Sequence, residues 1–395
     1  MKNLVVIVAG IAAALPVYAQ SLRDAVEAAW GRQPLAQAQS AREAEFSARR
    51  DVAGALSPAP PSIAFGHRTD QANRNEGKRE WEAEFSLPLW LPGQRERAAA
   101  LADAERDQYG TSVTAAKLKI AGEVRDTYWQ ARIADIELAH ARRKVEEAAA
   151  LAGDVGRRVD AGDLARVDLN QAQAAQHVAR AALAEVEVKA FRAHQSFSTL
   201  TGMPVPPAAA EQSASAPPLE DHPRLAALAR AVTAAHAKLA QARLNRRDNP
   251  ELELAMRRER DAFDRPFENS VAFRFRLPFA TDARNRPRVA AANAELIEAQ
   301  ASYRIEQEKL SAEVDAARRD LARSQSLSEI AEARFTLAAE THQLFAKAFS
   351  LGELDLISRL RAENERFEAE LNRDRAALET ARAVARLNHS LGLLP

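Results

Sequence analysis

The sequence predicts a mixed α and β membrane protein whose single chain carries two copies of one helix-and-hairpin unit. Three observations predict it. Two stretches, Leu101 to Arg157 and Val289 to Lys347, contain no Pro and carry a heptad seam. Four short segments alternate apolar and charged residues. The second half of the chain repeats the first at a shift of about 190 residues, the mark of a tandem architecture. Composition agrees. The 395 residues include only 14 Gly and 6% aromatics, and the abundance of Ala, Leu, Glu, Arg and Gln favours long helices.

Charge and cysteine exclude several function classes. Lys+Arg and Asp+Glu both number 55, without the basic excess of a nucleic-acid binder. With no cysteine there is no disulfide, zinc–thiolate site, iron–sulfur cluster or cysteine nucleophile.

Lys2, the apolar run Leu4 to Val17 and the small-x-small site Val17-Tyr18-Ala19 read as a signal peptide over residues 1–19. The run is short for a membrane span, and no cysteine follows it for lipidation.

Beyond it the repeat is read directly. Phe85-Ser86-Leu87-Pro88 returns as Phe275-Arg276-Leu277-Pro278, and Gly162-Asp163-Leu164 as Gly352-Glu353-Leu354. Pro34 and Pro61 match Pro223 and Pro250 one residue out of step, so the second copy gains a residue before Phe275. The copies span 20–204 and 220–395, joined by a Pro/Ala/Ser-rich linker, 205–219.

Each copy opens with a helix, Ser21 to Leu56 or Pro223 to Arg247. The period then changes to two. Ile63 and Phe65, Glu80 to Phe85, Leu252 to Met256 and Val271 to Leu277 form two hairpins with polar loops. The long helices follow, each roughly 85–90 Å at 1.5 Å per residue. Their seams run from Ile120, Val124 and Thr127 to Ala152 and Val155, and from Leu310, Val314 and Ala317 to His342 and Phe345. After a Gly turn at Gly162 or Gly352, return helices cover 167–200 and 357–391.

A strand with one apolar and one charged face needs a covering layer in water. The rest of the chain is committed to helices with seams of their own. An outer-membrane barrel, with lipid outside and water inside, resolves this. Four strands cannot close one, so several chains contribute. Two chains give eight strands and a filled lumen; three give twelve and room for a channel.

These features resemble the TolC-type outer-membrane efflux factors over the whole mature chain. Leu87-Pro88-Leu89-Trp90-Leu91-Pro92-Gly93-Gln94-Arg95 is similar to the strand-to-helix segment of their heavy-metal branch, the CzcC-like proteins. The resemblance implies a homotrimer, with a twelve-stranded barrel in outer-membrane lipid set on a twelve-helix periplasmic tunnel. It implies passive export for an inner-membrane pump of the RND type, joined through a periplasmic adaptor.

Glu80, Glu82, Glu84, Glu251, Glu253, Arg274 and Arg276 fall on the charged strand face and are the expected lumen lining. Arg158, Asp160, Gly162, Asp163, Arg166 and Asp168 surround the first Gly turn, and Gly352, Glu353 and Asp355 the second. The resemblance makes these turns the periplasmic entrance and adaptor contact. Arg158 and Arg166 are the nearest charges that could hold the acids together.

No two of the eight histidines stand three or four residues apart on a helix, so no metal site is expected. No phosphate loop, nucleophile elbow or paired catalytic carboxylates appear, so neither enzyme activity nor a cofactor is expected. The alternative is a periplasmic adaptor or a structural coiled-coil protein of the envelope. An adaptor would have one helical hairpin between Gly-rich β halves, and a structural coiled coil would not need four amphipathic strands.

Overall fold

A computed structural model describes residues 21–207, 211–245, 247–279 and 282–395. The expected signal peptide lies outside the described residues. In chain order come α1 (Leu22–Gly31), α2 (Pro34–Gly54), β1 (Ser62–Thr69), β2 (Arg79–Pro88), α3 (Gln94–Asp160) and α4 (Arg166–Thr201). A short 3-10 turn at Leu219–Asp221 precedes α5 (Pro223–Leu244), β3 (Glu251–Arg260), β4 (Glu268–Arg276), α6 (Asp282–Ser350) and α7 (Leu356–Ser390). No helix among the described residues is long and apolar enough to cross a membrane.

Two compact units emerge. The sheet unit holds residues 33–118 and 216–313; the helical unit holds the remainder.

In the sheet unit the four strands form one antiparallel sheet in the order β1-β2-β3-β4. The two hairpin loops touch. The Phe263 N–H donates to the Glu76 carbonyl at 3.1 Å. Gly77 has φ +97, and a Cβ there would lie 2.5 Å from the Phe263 nitrogen, so only Gly fits. α2 lies beside α3, with Arg50 on Asp103 at 3.0 Å and Phe46 on Tyr109. α5 packs on α6 through Leu239, Ala292 and Leu296. Where β2 gives way to α3, the buried Gln94 amide donates to Asn245 and Asn249, and Asn249 donates to the Leu89 carbonyl at 2.9 Å.

In the helical unit, side-chain contacts order the helices α4, α3, α7, α6. Lys189 and His194 of α4 reach Glu137 and Asp135 of α3, each at 2.6 Å. His140 of α3 reaches Asp374 of α7 at 2.7 Å. The Thr380 hydroxyl of α7 donates to the Ser324 carbonyl of α6 at 3.1 Å. The expected seams fall inside: Val124, Ala131, Ala134, Ala152, Val155, Val314 and Ala338 are all buried. α4 and α6 are the outer helices of this layer. Each exposes an apolar row, Val178, Val188 and Phe191 on α4 and Ile330, Leu337 and Leu344 on α6.

The opening segment departs from expectation. It is two helices, not one helix from Ser21 to Leu56. Pro34 has no N–H to donate and its ring would clash with the carbonyl four residues back, so a new helix starts there with Pro at its first position. Released from α2, α1 starts with a Ser21–Asp24 capping box and buries Leu22, Ala25, Val26 and Ala29 beside Tyr128, Trp129 and Phe197.

Glu211 and Gln212 of the linker are held in the helical unit. Arg125 is 3% exposed and makes a two-pronged ion pair with Glu211, at 2.8 and 3.0 Å. It also donates to the Leu393 carbonyl at 2.9 Å. Asn388 donates to Glu211 and to the Gln212 carbonyl.

Candidate functional site

Strand pairing sorts the sheet into two faces, because successive side chains point to opposite sides. Glu82 faces Arg257, Glu84 faces Ala255, Glu253 faces Arg274 and Glu251 faces Arg276. All seven expected lining residues therefore share one face. They form two ion-pair clusters. Arg257 joins Glu80 at 3.0 Å and Glu82 at 3.3 Å, while Arg276 joins Glu253 at 2.9 Å and Glu251 at 3.4 Å. Arg274 reaches Glu253 at 3.7 Å, and Arg68 reaches Glu80 at 3.3 Å. Glu80 and Glu253 are buried beneath these guanidiniums, and Glu84 stands outside both clusters.

Arg257 shares this charged face and is absent from the expected set, because the alternation after Met256 is masked by the run Arg257-Arg258-Glu259-Arg260.

The opposite face is apolar and open. Phe65 is 83% exposed, Phe273 70% and Val271 66%. Cross-strand neighbours Phe85 and Leu254, Leu254 and Phe273, and Met256 and Val271 make a continuous band. Trp81 belongs to it, stacked on His67 at 3.9 Å. Trp90 does not: its indole N–H donates to the Ala55 carbonyl.

The two Gly turns reverse the chain in the same way. Gly162 and Gly352 adopt φ +86 and +77, where a side chain would be strained. The N–H of the following acid, Asp163 or Glu353, donates to the carbonyl of Arg158 or Ala348. Leu164 and Leu354 tuck against Leu151, Val155, Phe349 and Leu356.

The acids at these turns divide by role. Asp168 and Asp355 cap helices: the Asp168 carboxylate accepts from the Ala165 N–H and the Asp355 carboxylate from the Ser358 N–H. Hydrogen bonds from Ser358 hold the Asp355 carboxyl below its ordinary range. Asp160, Asp163, Arg166 and Glu353 are exposed.

Arg158 is not a clamp on these acids. Its guanidinium lies 5.0 Å from the Phe349 ring centre, with that of Arg359 at 4.8 Å. The cation–π attraction of Phe349 drew it away from the carboxylates expected to hold it.

Farther along the helical unit, His140, Glu370 and Asp374 bring their donor atoms within 4.8 Å of one another. Glu370 and Asp374 stand four residues apart on α7, but His140 comes from α3, so a search of histidine spacing along one helix could not reveal the group. Guanidiniums occupy it: Arg143 donates to Glu370 at 2.9 Å and approaches the His140 ring, Arg366 pairs with Glu370 and Arg373 with Asp374. Burial pushes the Asp374 carboxyl up, but hydrogen bonds from His140 and Arg373 outweigh it and leave it below its ordinary value. The chemistry of the group is that of an ion-pair network.

No protein-family model and no curated relative matches the sequence. Solved structures do. The outer-membrane channel OprN is 21% identical, with 94% of this chain and 89% of that chain covered and a TM-score of 0.74. The outer-membrane protein VceC from Vibrio cholerae is 16% identical over 94% of this chain and 96% of its own, at a TM-score of 0.74. The open-state MtrE outer-membrane channel of Neisseria gonorrhoeae is 17% identical over 94% and 89%, at a TM-score of 0.73. With its single four-stranded sheet and its paired long helices, the chain has the fold of the TolC-type outer-membrane channels.

Proposed function

We propose that the chain is the protomer of a passive exit duct in the outer membrane, serving a tripartite efflux system. One observation carries the reading. The sheet exposes a continuous apolar face and gathers every strand carboxylate on the other. Lipid suits the first face and water the second. Three protomers supply twelve strands and a charged lumen. The exposed apolar rows on α4 and α6 then meet between neighbouring protomers, closing a periplasmic tunnel. The repeated units are residues 20–204 and 220–395, and a leader over 1–19 directs export.

The exposed turns at Gly162 and Gly352 are the surface offered to a periplasmic adaptor, which links the duct to an inner-membrane pump of the RND type. The duct spends no energy, and it exports small solutes. The Leu87–Arg95 phrase favours heavy-metal cations among them. The ion-paired lining agrees with a conduit, where weak association serves conduction better than tight binding.

Membrane fractionation followed by planar-bilayer recording tests the reading. A heat-sensitive trimer in the outer membrane that conducts ions is expected. A water-soluble monomer in the periplasm would refute it.

A further inference from the structure

The apolar face of the sheet changes character at its loop end. Following β3 along this face, Leu252, Leu254 and Met256 give way to Arg258 and Arg260. Following β2 backward, Phe85, Ala83 and Trp81 give way to Arg79. Register places these arginines together, since Arg79 is directly opposite Arg260 and Trp81 opposite Arg258. Every carboxylate of the four strands lies on the other face, as the pairing of Glu80 with Glu259 and of Glu259 with Glu268 completes. Among the described residues, no carboxylate pairs with Arg79, Arg258 or Arg260.

Like charges directly opposite on neighbouring strands destabilise a sheet. The pairing of Arg79 with Arg260 is therefore unfavourable unless an anion sits between them. The guanidiniums are also prepositioned. Those of Arg258 and Arg260 lie 4.8 and 4.9 Å from the Phe267 ring centre, and Arg260 lies 5.4 Å from that of Phe263. The Arg260 Nε donates to the Gly77 carbonyl at 3.0 Å, and its other nitrogens have no carboxylate partner among the described residues. Stacked, planar guanidiniums with spare N–H groups suit the oxygens of a phosphate.

The height fits as well. The eight steps from Leu252 to Arg260 cover about 27 Å along a strand, and a tilt of about 40° leaves roughly 21 Å. The apolar band of such barrels is about 25 Å tall, so the arginines emerge where acyl chains end and headgroups begin.

We propose that Arg79, Arg258 and Arg260 form a binding site for the phosphate headgroup of an anionic membrane lipid, on the outside of the barrel at its loop end. The aromatic rings of Phe263 and Phe267 pack on the upper part of its acyl chains. The inference rests on the barrel reading above. It adds a lipid of defined chemistry to a face that reading leaves to lipid in general.

The test uses the full chain purified in detergent. Insertion into phosphatidylcholine vesicles is measured first. The protein is then incubated with hexa-acyl bisphosphorylated lipid A, or with the same glycolipid stripped of both phosphates, and bound lipid is counted by native mass spectrometry. Wild type should retain the phosphorylated form about tenfold better, the scale of one charge-assisted phosphate contact. The triple variant R79Q/R258Q/R260Q should lose that preference, while R257Q/R274Q on the charged face should keep it. The wild-type comparison of the two lipids stands even if the triple variant fails to fold. Equal retention of both lipids by an inserted wild-type protein would overturn the lipid site and leave the barrel intact. An unchanged preference in a folded triple variant would do the same. Failure of wild type to insert would overturn the barrel and the lipid site together.

Discussion

In the strands the large apolar side chains are exposed on one face and the carboxylates are gathered on the other: Phe65 is 83% exposed while Glu253 is 3% exposed. In the helical unit the arrangement is reversed. Val124, Val155 and Phe197 are fully buried, and most charged side chains lie at the surface. Of the exceptions there, Arg125 is paired with Glu211 of the linker and Glu137 with Lys189 of α4, while burial pushes the Glu363 carboxyl, unpaired among the described residues, up toward its neutral form. The same physical rule yields both patterns. Apolar groups leave water, and where the neighbour is hydrocarbon they leave it by facing outward. An alternating strand is therefore ambiguous until its surroundings are known, whereas a heptad seam is not.

The contrast can be broken at four places. The largest effect is expected at Arg125→Ala, which leaves the part-buried Glu211 with only the Asn388 amide as a partner among the described residues. Breaking such a pair costs about 3–5 kcal/mol, and urea unfolding followed by circular dichroism should show it. On the sheet, Arg274→Glu leaves Arg276 on Glu253, so it should cost less stability and show mainly as a changed ion selectivity of the reconstituted channel. Next comes Phe273→Arg. A cation on the lipid face near the midplane costs about 2–4 kcal/mol, read as loss of assembled protein in the membrane fraction. Equal tolerance of Phe273→Arg and Arg274→Glu would show that the two faces do not meet different solvents.

A third test concerns pH. Burial raises the Glu137 carboxyl, but hydrogen bonds from Lys189 and Arg375 outweigh it and the net shift is downward. A lowered carboxyl stabilises the fold fully above its unfolded value, here 4.5, and loses that contribution as pH falls through the folded value. Glu137→Gln should lower the thermal midpoint at pH 7 by the equivalent of about 1–2 kcal/mol, discounted because both partners are largely exposed. The gap to wild type should close below pH 4. A constant gap at all pH values would assign the loss to packing instead. The smallest effect is expected at Gly352→Ala. Nothing lies within 4 Å of the added Cβ, so only the backbone conformation at φ +77 opposes it, by about 1–2 kcal/mol. Gly162→Ala should cost the same within error in chemical denaturation.

Much of this was legible in the sequence because the signals are local. The alternation of Glu80 to Phe85 and of Val271 to Leu277 identified strands and their faces, and β2 and β4 include most of both runs. Steps of three and four from Leu310 to Phe345 identified the α6 seam. What stayed hidden depends on partners far apart in the chain. His140 meets Asp374 across 234 residues, and no spacing rule links them. Arg158 was read beside Asp160 and Asp163, its neighbours in sequence, yet Phe349 won it. The break in the opening helix was a missed local signal: Gly31 and Pro34 were both in view, but the apolar pattern continued through them.

The knot at Arg125 has a consequence for how the molecule is made. Its guanidinium is synthesised 86 residues before Glu211 and 268 before Leu393, which together satisfy it. Glu211 supplies the counter-charge as soon as the linker is made, but the Leu393 carbonyl arrives only with the last residues. Contacts of such long sequence separation form late. The site around Arg125 is therefore closed only when the end of the second copy reaches it. A chain broken off before residue 388 keeps the Arg125–Glu211 pair but lacks the Leu393 carbonyl and the Asn388 amide that complete it, so the last eight residues finish a site begun at Arg125.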